Sequence, residues 1–519
     1  MTDDQSVENM RFMPDVRRLF GAGGVTFDNS FVNVSLCCPS RATFLTGQYA
    51  HNHGVVSNDE PGGGYYQLDN SNTLPIWLQK SGYFTMLIGK YLNHYGDRNP
   101  NEVPPGWNEW HSPIKDDAYH YYGYTLNENG TLRRYENTYQ TDQLTQEAVG
   151  LIRSRAASSQ PFFLWLTYVA PHVGSPQGAP GAGRQHLPLT PLPATRHVGK
   201  YSNVPLPMPP SFNEADVSDK PSPVRSLPPL TQKDVETLTA SYHSRGESLL
   251  AVDEGVQKVV DALSAAGALD NTFLVFASDN GWMQGEHRIV QGKIVPYEPS
   301  IRVPLLMRGP GVPAGVHLPQ MVVNADLAPT IVDLANATPG LTMDGRSLLP
   351  LLKDRTVWSG RDLLLDGVGA DVAHMGFQGL RTPRYVYVEY RVPAETELYD
   401  LAKDPYELQN VAGDPSYDRV RAELAARLAK LKTCRGVTCR VQPALKAVVE
   451  CDGAATSVEV AGADAGRVVH AVFAVSGHRV AGDSRAPFRV VTRRRGAIRV
   501  LAALDDGTRM TLARAAPRC

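Results

Sequence analysis

Two long apolar runs, each closed by polar side chains, constrain the fold of this chain most strongly. Residues 160–172 read QPFFLWLTYVAPH and residues 272–282 read TFLVFASDNGW. Apolar runs without polar alternation are typical of strands that are buried on both faces, as in sheets covered by helices. The chain is therefore predicted to form an α/β fold, with the polar strand ends gathered at one edge of the sheet.

Other segments of the first 270 residues support this class. Helices are predicted where apolar residues recur with helical spacing: 10–21, 73–83 and 232–265. Strands are predicted at 25–34 and 84–91, and a hairpin at 121–134 with Asn129 and Gly130 at its turn. Residues 173–231 are rich in Pro, Gly and Ser, which predicts a long irregular surface segment.

The rest of the chain changes in character. A two-stranded piece is predicted at 380–400 and a helix at 417–432. After Cys439, short alternating runs such as VVHAVFAV and AIRVLAAL predict at least four strands. We divide the chain into three parts: an α/β domain at 1–360, a smaller α+β subdomain at 361–433, and an all-β, sandwich-like module at 440–519.

Charge and hydropathy exclude several classes of protein. The net charge is −2 and the Lys and Arg residues are spread along the chain, which argues against nucleic-acid binding and against a polybasic membrane tether. No stretch reaches the roughly 18 consecutive apolar residues of a transmembrane helix.

The six cysteines fall into two groups. Cys37 and Cys38 are adjacent near the start, and the other four lie in the last fifth of the chain: Cys434, Cys439, Cys451 and Cys519. The later group lacks histidines at zinc spacing, so two disulfides are expected, with four unpaired thiols as the alternative. Disulfides imply export from the cytosol.

Four groups of polar residues are expected to meet at the edge of the sheet. They are Asp3 with Asp4, Cys37 to Arg41, His172, and Asp279 with Asn280. Each group taken alone has an ordinary structural explanation, because Asp-Asn-Gly is common in turns and Pro-His in loops. Their combination is what suggests a site.

Together these residues supply two kinds of chemistry. The carboxylate and amide oxygens suit Ca²⁺, or less well Mg²⁺, but not zinc. Positive charge and proton donors for an anionic tetrahedral ester would come from Arg41, Lys90, His172 and Lys293. Because a thiol is a poor partner for a hard cation, Cys37 is expected to act in another chemical form.

The segment CCPSRATFLTG, residues 37–47, resembles the type I sulfatase signature, Cys-x-Pro-Ser-Arg followed by Leu-Thr-Gly. Further blocks stand in the family's order: TDDQ, GKY, PH, SDNG, YEPSIRVPLLMRGPG, DGRSLLPLL and ELYDLAKDPYELQN. The resemblance covers about residues 1–432 and implies an alkaline-phosphatase-like mixed sheet flanked by helices. CCPSRATFLTGQYAHNHGVV and GKYLN are most similar to the N-acetylglucosamine-6-sulfatase and heparan-endosulfatase branch.

The resemblance also implies a function, the hydrolysis of a sugar or aryl sulfate ester with release of inorganic sulfate. Cys37 would be oxidised by a formylglycine-generating enzyme, and a hydroxyl of the formylglycine hydrate would attack sulfur. Ca²⁺ would be held by the modified Cys37 together with Asp3, Asp4, Asp279 and Asn280. Arg41 would orient the formylglycine, Lys90 and Lys293 would grip sulfate oxygens, and His172 with Lys293 would protonate the leaving alkoxide.

One position departs from the family pattern. Many sulfatases have histidine two residues after the lysine matched by Lys90, and here that residue is Leu92. His94 is a candidate base for sulfate elimination, because an extended segment would place it on the same face. An ordinary loop position is an equal alternative for His94. His51 and His53 are candidates either for lining the pocket or for packing behind it.

The beginning of the chain also differs, because family members usually carry an apolar strand immediately before the two aspartates. The chain starts MTDDQ, without such a strand and without a signal peptide. We expect that Met1 is an internal methionine, and that the strand and a signal peptide for secretion lie upstream.

Two other functions remain open on the sequence. A phosphomonoester or phosphonate hydrolase of the same superfamily would bind a tetrahedral anion with much the same contacts. A catalytically impaired extracellular binding protein, in which the β module does the binding, is the alternative from another class.

Overall fold

The computed structural model describes residues 1–156, 158–174, 190–355, 360–367, 376–440, 445–452, 455–462, 464–504 and 508–515. Its helical and sheet layers confirm the α/β class, with mixed sheets in the larger part of the chain and antiparallel sheets toward the C terminus. The helices are Pro14–Val16, Cys37–Thr46, Ala50–His53, Leu74–Lys80, Gln140–Ala156, Ser222–Arg225, Gln232–Ala265, Glu298–Ile301, Leu327–Leu334, Leu349–Lys353 and Asp418–Leu431.

A five-stranded mixed sheet forms one half of the larger part. Its order is Thr131–Tyr135, Tyr124–Glu128, Glu109–Pro113, Phe84–Gly89 and Phe162–Thr167. The last two strands pair in parallel from Phe84 opposite Phe162 to Gly89 opposite Thr167. The first two form the predicted hairpin, with Asn129 and Gly130 both at positive φ in its turn.

A four-stranded mixed sheet forms the other half. Its order is Leu274–Ala277, Leu305–Arg308, Val25–Phe31 and Val316–Val323. Val25–Phe31 pairs in parallel with Val316–Val323 and antiparallel with Leu305–Arg308.

The first residues of the chain bridge these two sheets. The Met1 amino group donates to the Leu166 carbonyl at 2.8 Å, and the Thr2 amide donates to the Ala277 carbonyl at 2.9 Å. Behind Met1, a cavity of about 760 Å³ lies between the strands Phe162–Thr167 and Leu274–Ala277. Most side chains of the two strands that face it are half-buried, so the prediction that both strands are buried on both faces was wrong along the cavity.

Two predicted helices met different outcomes. Gln232–Ala265 matches its predicted bounds, and it begins with a capping box in which Thr231 and Asp234 bind each other's backbone amides. The helix predicted at 10–21 is instead three short segments, Val7–Phe12, Pro14–Val16 and Arg17–Ala22. Pro14 cannot donate a helical hydrogen bond, which accounts for the break.

Residues 190–231 of the predicted irregular segment contain only the short helical turns Thr195–His197 and Ser222–Arg225, and residues 175–189 of it lie outside the described residues. Further along, an antiparallel sheet packs against the helix Asp418–Leu431. Its strands are Leu363–Gly367, Phe377–Arg381, Tyr385–Tyr390 and Thr396–Asp400, two more than were predicted for this region.

The last strands form two antiparallel sheets around a shared apolar core, as the module prediction expected. One sheet contains Lys446–Asp452, Ala455–Ala461 and Arg489–Thr492. The other contains His478–Asp483, Val468–Val475, Ile498–Leu504 and Arg509–Arg514. The domain boundaries at 360 and 440 stay a prediction.

The cysteines divide as expected from the sequence. Cys434 and Cys439 form a disulfide and Cys451 is also disulfide-bonded, whereas Cys519 lies outside the described residues. Cys37 and Cys38 are free and buried. Of the helices in the described ranges, none combines the length and the apolar character that a membrane span requires.

Candidate active site

The helix Cys37–Thr46 carries the sulfatase-like segment and is buried along its whole length. Cys37 is its first residue, so its side chain lies at the positive end of the helix dipole. Gly47, at φ +67°, ends the helix in the left-handed conformation that glycine adopts most easily. The chain thus presents Cys37 toward the strand ends.

Asp3 and Asp4, near the start of the chain, contact the other residues of the site: Asp3 contacts Cys37, and Asp4 contacts Asp279 and Asn280. Cys37 Sγ lies 3.5 Å from Asp3 Oδ1. Asp4 has φ +64°, and its amide donates to Asp279 Oδ1 at 3.2 Å. Asn280 Nδ2 donates to Asp4 Oδ1 at 2.5 Å. The four predicted oxygen-bearing residues therefore form one buried cluster beside Cys37.

Arg41 lies within this cluster, one turn of helix after Cys37. It donates to Asp279 Oδ2 at 2.8 Å and to Asp3 Oδ2 at 3.1 Å, and it donates to the Lys90 carbonyl at 2.6 Å. Both carboxylates and the guanidinium are fully buried. Arg41 therefore holds the two aspartates in place around Cys37.

Two lysines contribute ammonium groups to the cluster. Lys90 Nζ donates to Asp3 Oδ2 at 2.5 Å and lies 4.6 Å from the centre of the Tyr119 ring. Lys293 Nζ lies 2.5 Å from Asp4 Oδ1 and 2.7 Å from Cys37 Sγ. An anion bound at Cys37 would meet both ammonium groups.

His172 completes the ring of polar groups. Its Nδ1 lies 2.7 Å from the Val173 carbonyl, which fixes the proton on Nδ1 and leaves Nε2 facing the site, 3.5 Å from Asp4 Oδ2. Burial lowers the pKa of His172 to about 4, although the carboxylates of Asp4 and Asp3 act in the opposite direction. Its ring packs against Tyr119 with centroids 4.6 Å apart.

Opposite charges dominate the ionisation of the cluster. Burial alone would raise the pKa of Asp3, but Lys90, with the other nearby cations, holds that pKa well below its usual range. Burial alone would lower the pKa of Lys293, but the Asp4 carboxylate keeps it well above its usual range. The pKa of Asp279 is raised by burial and by Asp3. The carboxylates and ammonium groups therefore stabilise each other's charged forms. This stabilisation is weakest for Asp279, whose pKa is raised.

A hard cation fits the oxygen atoms that this network leaves over. Asp4 Oδ2 and Asn280 Oδ1 are buried and have no hydrogen-bond partner among the described residues. Ligand atoms of Asp3, Asp4, Cys37 and His172 lie within 4.8 Å of one another. Buried oxygens without donors are what a calcium ion would satisfy, so the predicted ligand set fits Ca²⁺.

The thiol of Cys37 is poorly suited to react as it stands. Burial and the nearby Asp3 raise its pKa to about 12, so it is protonated at neutral pH. Cys38 packs in the apolar core beside the two mixed sheets, and its amide donates to Asn58 Oδ1 at 3.0 Å. Cys38 is thus a packed side chain, whereas Cys37 lies in the polar cluster.

Three histidines that the sequence suggested make their hydrogen bonds outside the cluster. Both ring nitrogens of His94 are taken by carboxylates, Asp59 at 2.7 Å and Asp97 at 2.8 Å. His51 Nε2 lies 2.8 Å from the Cys434 carbonyl, and His53 Nε2 lies 3.0 Å from Thr43 Oγ1. None of these contacts reaches Cys37, which favours the loop interpretation of His94 and the packing role of the other two.

Two residues of the site were missed from the sequence. Arg245, buried in the helix Gln232–Ala265, donates to the backbone carbonyls of Asp4 and Pro171. A charged residue one turn before Leu249, on the apolar face of this helix, was the available signal. Tyr119 packs on Lys90 and His172 from a short 3₁₀ helix, and no motif pointed to it.

Comparison with known proteins finds two family models that together span most of the chain. A family model described as Sulfatase matches residues 1–337, and one described as N-sulphoglucosamine sulphohydrolase, C-terminal, matches residues 285–434. The chain is 32% identical to N-acetylglucosamine-6-sulfatase of Capra hircus over 488 residues, 85% of this chain and 84% of that protein.

It is also 34% identical over 365 residues to the extracellular sulfatase SULF-1 homolog of Drosophila melanogaster, covering 68% of this chain and 31% of that protein. A solved structure of BT4656 in complex with its substrate D-glucosamine-2-N,6-O-disulfate shares the fold. Its TM-score is 0.69 at 24% identity, covering 83% of this chain and 96% of that one.

Proposed function

Since this chain belongs to the sulfatase family and is a sulfuric ester hydrolase, we propose that it cleaves sulfate esters with a formylglycine made from Cys37. The observation that carries the proposal is the position of Cys37 Sγ, 3.5 Å from Asp3 Oδ1 and 2.7 Å from Lys293 Nζ. A sulfate ester bound there meets two ammonium groups, and the residue that would attack it lies at a helix N terminus.

Maturation precedes catalysis in this proposal. A formylglycine-generating enzyme, supplied with an oxidant, removes the sulfur of Cys37 and leaves an aldehyde. Water adds to the aldehyde and gives two hydroxyl groups on one carbon, in the place that Sγ occupies. The segment from Cys37 through Pro39 to Arg41 carries the recognition pattern for this enzyme.

Catalysis then proceeds as a displacement at sulfur followed by an elimination, both at the same residue. One hydroxyl gives up its proton to solvent, and its oxygen attacks sulfur while the bond from sulfur to the ester oxygen breaks. The departing alkoxide takes a proton from Lys293, or from His172 once the bound anion has raised the pKa of its ring and a proton has been taken up on Nε2. The second hydroxyl next loses its proton, the aldehyde C=O forms again, and the bond to sulfate breaks. Addition of water restores the hydrate.

The surrounding residues have separate tasks. Lys90 and Lys293 hold the sulfate oxygens, and Arg41 keeps Asp3 and Asp279 in place. Ca²⁺ held by Asp3, Asp4, Asp279, Asn280 and modified Cys37 would supply positive charge that lowers the pKa of the attacking hydroxyl. The residue that takes the proton in the elimination step is left unassigned, since His94 is engaged elsewhere.

For the substrate, we propose a sulfated carbohydrate encountered outside the cytosol. The similarity to N-acetylglucosamine-6-sulfatase and to an extracellular sulfatase supports this, as does the disulfide between Cys434 and Cys439. Two hexosamines, one carrying sulfate at O6 and one at another position, would test the preference.

The proposal is tested by expressing the protein with and without a formylglycine-generating enzyme. Mass spectrometry of the peptide containing Cys37 should show an aldehyde only in the first sample, and only that sample should release sulfate from nitrophenyl sulfate. Cys37→Ala should be inactive in both. An unmodified thiol in fully active protein, or faster release of phosphate than of sulfate from the nitrophenyl esters, would overturn it.

A further inference from the structure

A second group of metal-ligating side chains lies on the five-stranded sheet, among residues that take no part in the network around Cys37. His111 is on the strand Glu109–Pro113, Glu128 ends the strand Tyr124–Glu128, and Glu147 is on the helix Gln140–Ala156 that covers the sheet. Ligand atoms of these three residues lie within 4.8 Å of one another.

His111 is buried, with only 7% of its surface exposed. Its Nδ1 has no hydrogen-bond partner among the described residues. The other ring nitrogen, Nε2, lies 3.3 Å from Glu109 Oε2. That contact places the ring proton on Nε2, so Nδ1 carries a lone pair. The lone pair faces Glu147 Oε2 at 4.0 Å, too far for a hydrogen bond.

We propose that His111, Glu128 and Glu147 form a binding site for a divalent transition metal, with Zn²⁺ as the ion of best fit. In a tetrahedral zinc site with bonds of about 2.0–2.1 Å, neighbouring ligand atoms lie roughly 3.3 Å apart. The 4.0 Å gap between His111 Nδ1 and Glu147 Oε2 would therefore narrow slightly as the two side chains close on the ion. One imidazole and two carboxylates, with a fourth position for water, are a ligand set that zinc accepts.

The carboxylates are already held for this purpose. Gln143 Nε2 donates to Glu147 Oε1 at 2.7 Å, which leaves Oε2 for the ion. The hydroxyl of Tyr135 donates to Glu128 Oε1 at 2.5 Å. Arg133 lies 3.5 Å from Glu128 Oε2, but its side chain is 64% exposed and neutralises that carboxylate weakly.

The Glu109 carboxylate, which contacts His111 Nε2, is itself held in position. Asn129 Nδ2 donates to Glu109 Oε2 at 2.6 Å and so fixes the group that orients the histidine. Bound metal would tie the helix Gln140–Ala156 to two strands of the sheet. The role is structural, because no catalytic residue named above contacts the three ligands.

The test uses the full chain with saturating Ca²⁺, titrated with Co²⁺ as a spectroscopic substitute for Zn²⁺ and followed by visible absorption. The wild type should bind Co²⁺ at this site, and Zn²⁺ should displace it and raise the Tm. Glu147→Gln and His111→Gln should each remove one equivalent. Glu109→Gln should weaken binding about 10- to 100-fold.

Glu136→Gln, on an exposed residue after the same hairpin, is the matched control and should bind as the wild type does. Asp4→Asn identifies any equivalent that belongs to the cluster around Cys37. Circular dichroism checks that each variant is folded, and Glu128→Gln replaces any that is not. Equal Co²⁺ stoichiometry and affinity in Glu147→Gln and in the wild type would overturn the proposal. It would also be overturned if the wild type bound a single equivalent of Co²⁺ and Asp4→Asn lost that equivalent.

Discussion

The Lys293 ammonium lies 2.7 Å from Cys37 Sγ, and the same nitrogen lies 2.5 Å from Asp4 Oδ1. One side chain thus joins the position of the proposed nucleophile to an oxygen-bearing residue of the proposed calcium site. An ammonium group at this point can neutralise charge that develops on the attacking or departing oxygen.

Lys293→Ala should therefore lower kcat for nitrophenyl sulfate about 10²- to 10³-fold, because it removes one preorganised cation from a buried site. Steady-state kinetics on fully modified protein measures this. Lys200→Ala, on an exposed lysine, is the control and should keep wild-type kcat. A kcat within threefold of wild type for Lys293→Ala would remove this residue from the mechanism.

Chelation should inactivate the protein and lower its Tm, because the buried oxygens Asp4 Oδ2 and Asn280 Oδ1 would lose their cation. At a Ca²⁺ concentration of 100 times Kd, binding stabilises the folded state by about 2.7 kcal/mol. Activity and differential scanning calorimetry with and without added Ca²⁺ check this.

Asn280→Ala should need at least about tenfold more Ca²⁺ for half-maximal stabilisation, since it removes a ligand oxygen. Asp333→Asn, an exposed carboxylate elsewhere, should respond to Ca²⁺ as the wild type does. Undiminished activity and Tm after thorough chelation would argue against a calcium site.

His172→Gln should affect substrates according to their leaving group. A sugar alkoxide needs a proton as it departs, so kcat on a sugar sulfate should fall about 10²- to 10⁴-fold. Nitrophenolate leaves without protonation, so kcat on nitrophenyl sulfate should fall much less. Equal losses on both substrates would show that His172 acts in binding or positioning and is not the proton donor.

His53 should make the folded state less stable in acid. Its Nδ1 accepts from the Val55 amide at 3.1 Å, and burial lowers the pKa of His53 to about 3 from an unfolded value near 6.5. The unfolded state then binds the proton first. Stability from this residue is complete above pH 6.5 and is lost as pH falls toward 3, by up to about 1.4 kcal/mol per pH unit.

Urea unfolding at several pH values compares the wild type with His53→Gln, whose free energy of unfolding should change less between pH 6.5 and pH 4. His478→Gln, on an exposed histidine, is the control for the substitution itself. Identical slopes for wild type and His53→Gln would show that His53 is not held neutral by the fold.

An apolar strand fused ahead of Met1 should stabilise the protein. The cavity of about 760 Å³ lies between two strand edges, and burial lowers the pKa of the Met1 amino group to about 5, a sign that its charge is costly there. An extension such as Val-Ile-Val-Leu-Ile would replace the charged amino group with an uncharged amide. Each large apolar side chain that it buries would stabilise the folded state by about 1.5–3 kcal/mol.

Chemical denaturation should give a higher free energy of unfolding for this fusion than for one carrying a Ser- and Pro-rich segment of equal length. Equal values for the two fusions would mean that the cavity does not accept a strand.

The sequence predicted the residues of the site better than the connections between them. Asp279, Asn280 and His172 could be placed because they follow apolar runs, and strand ends meet at one edge of a sheet. Arg245 could not, because its role depends on packing of a distant helix against the carbonyl of Asp4. Tyr119 likewise acts only through tertiary contact.

The same limit applies to the fold. The hairpin and the long helix were predicted because their signals are local: a turn sequence and a periodic apolar face. The sheet that contains Leu363–Gly367 was underestimated, because that short strand gains its stability from pairing with Phe377–Arg381 and has little alternation of its own. The cluster of His111, Glu128 and Glu147 comes from three separate elements, so no spacing in the sequence announces it.

The strands Phe162–Thr167 and Leu274–Ala277 each form the outermost strand of their sheet on the side of the cavity. Backbone groups on such an edge can pair with any extended chain that reaches them, including a strand of another molecule. When the protein is produced with Met1 as its first residue, self-association through this gap would grow with protein concentration and would compete with correct folding during expression. Yield and solubility, more than catalytic rate, are the properties by which the gap would first be noticed.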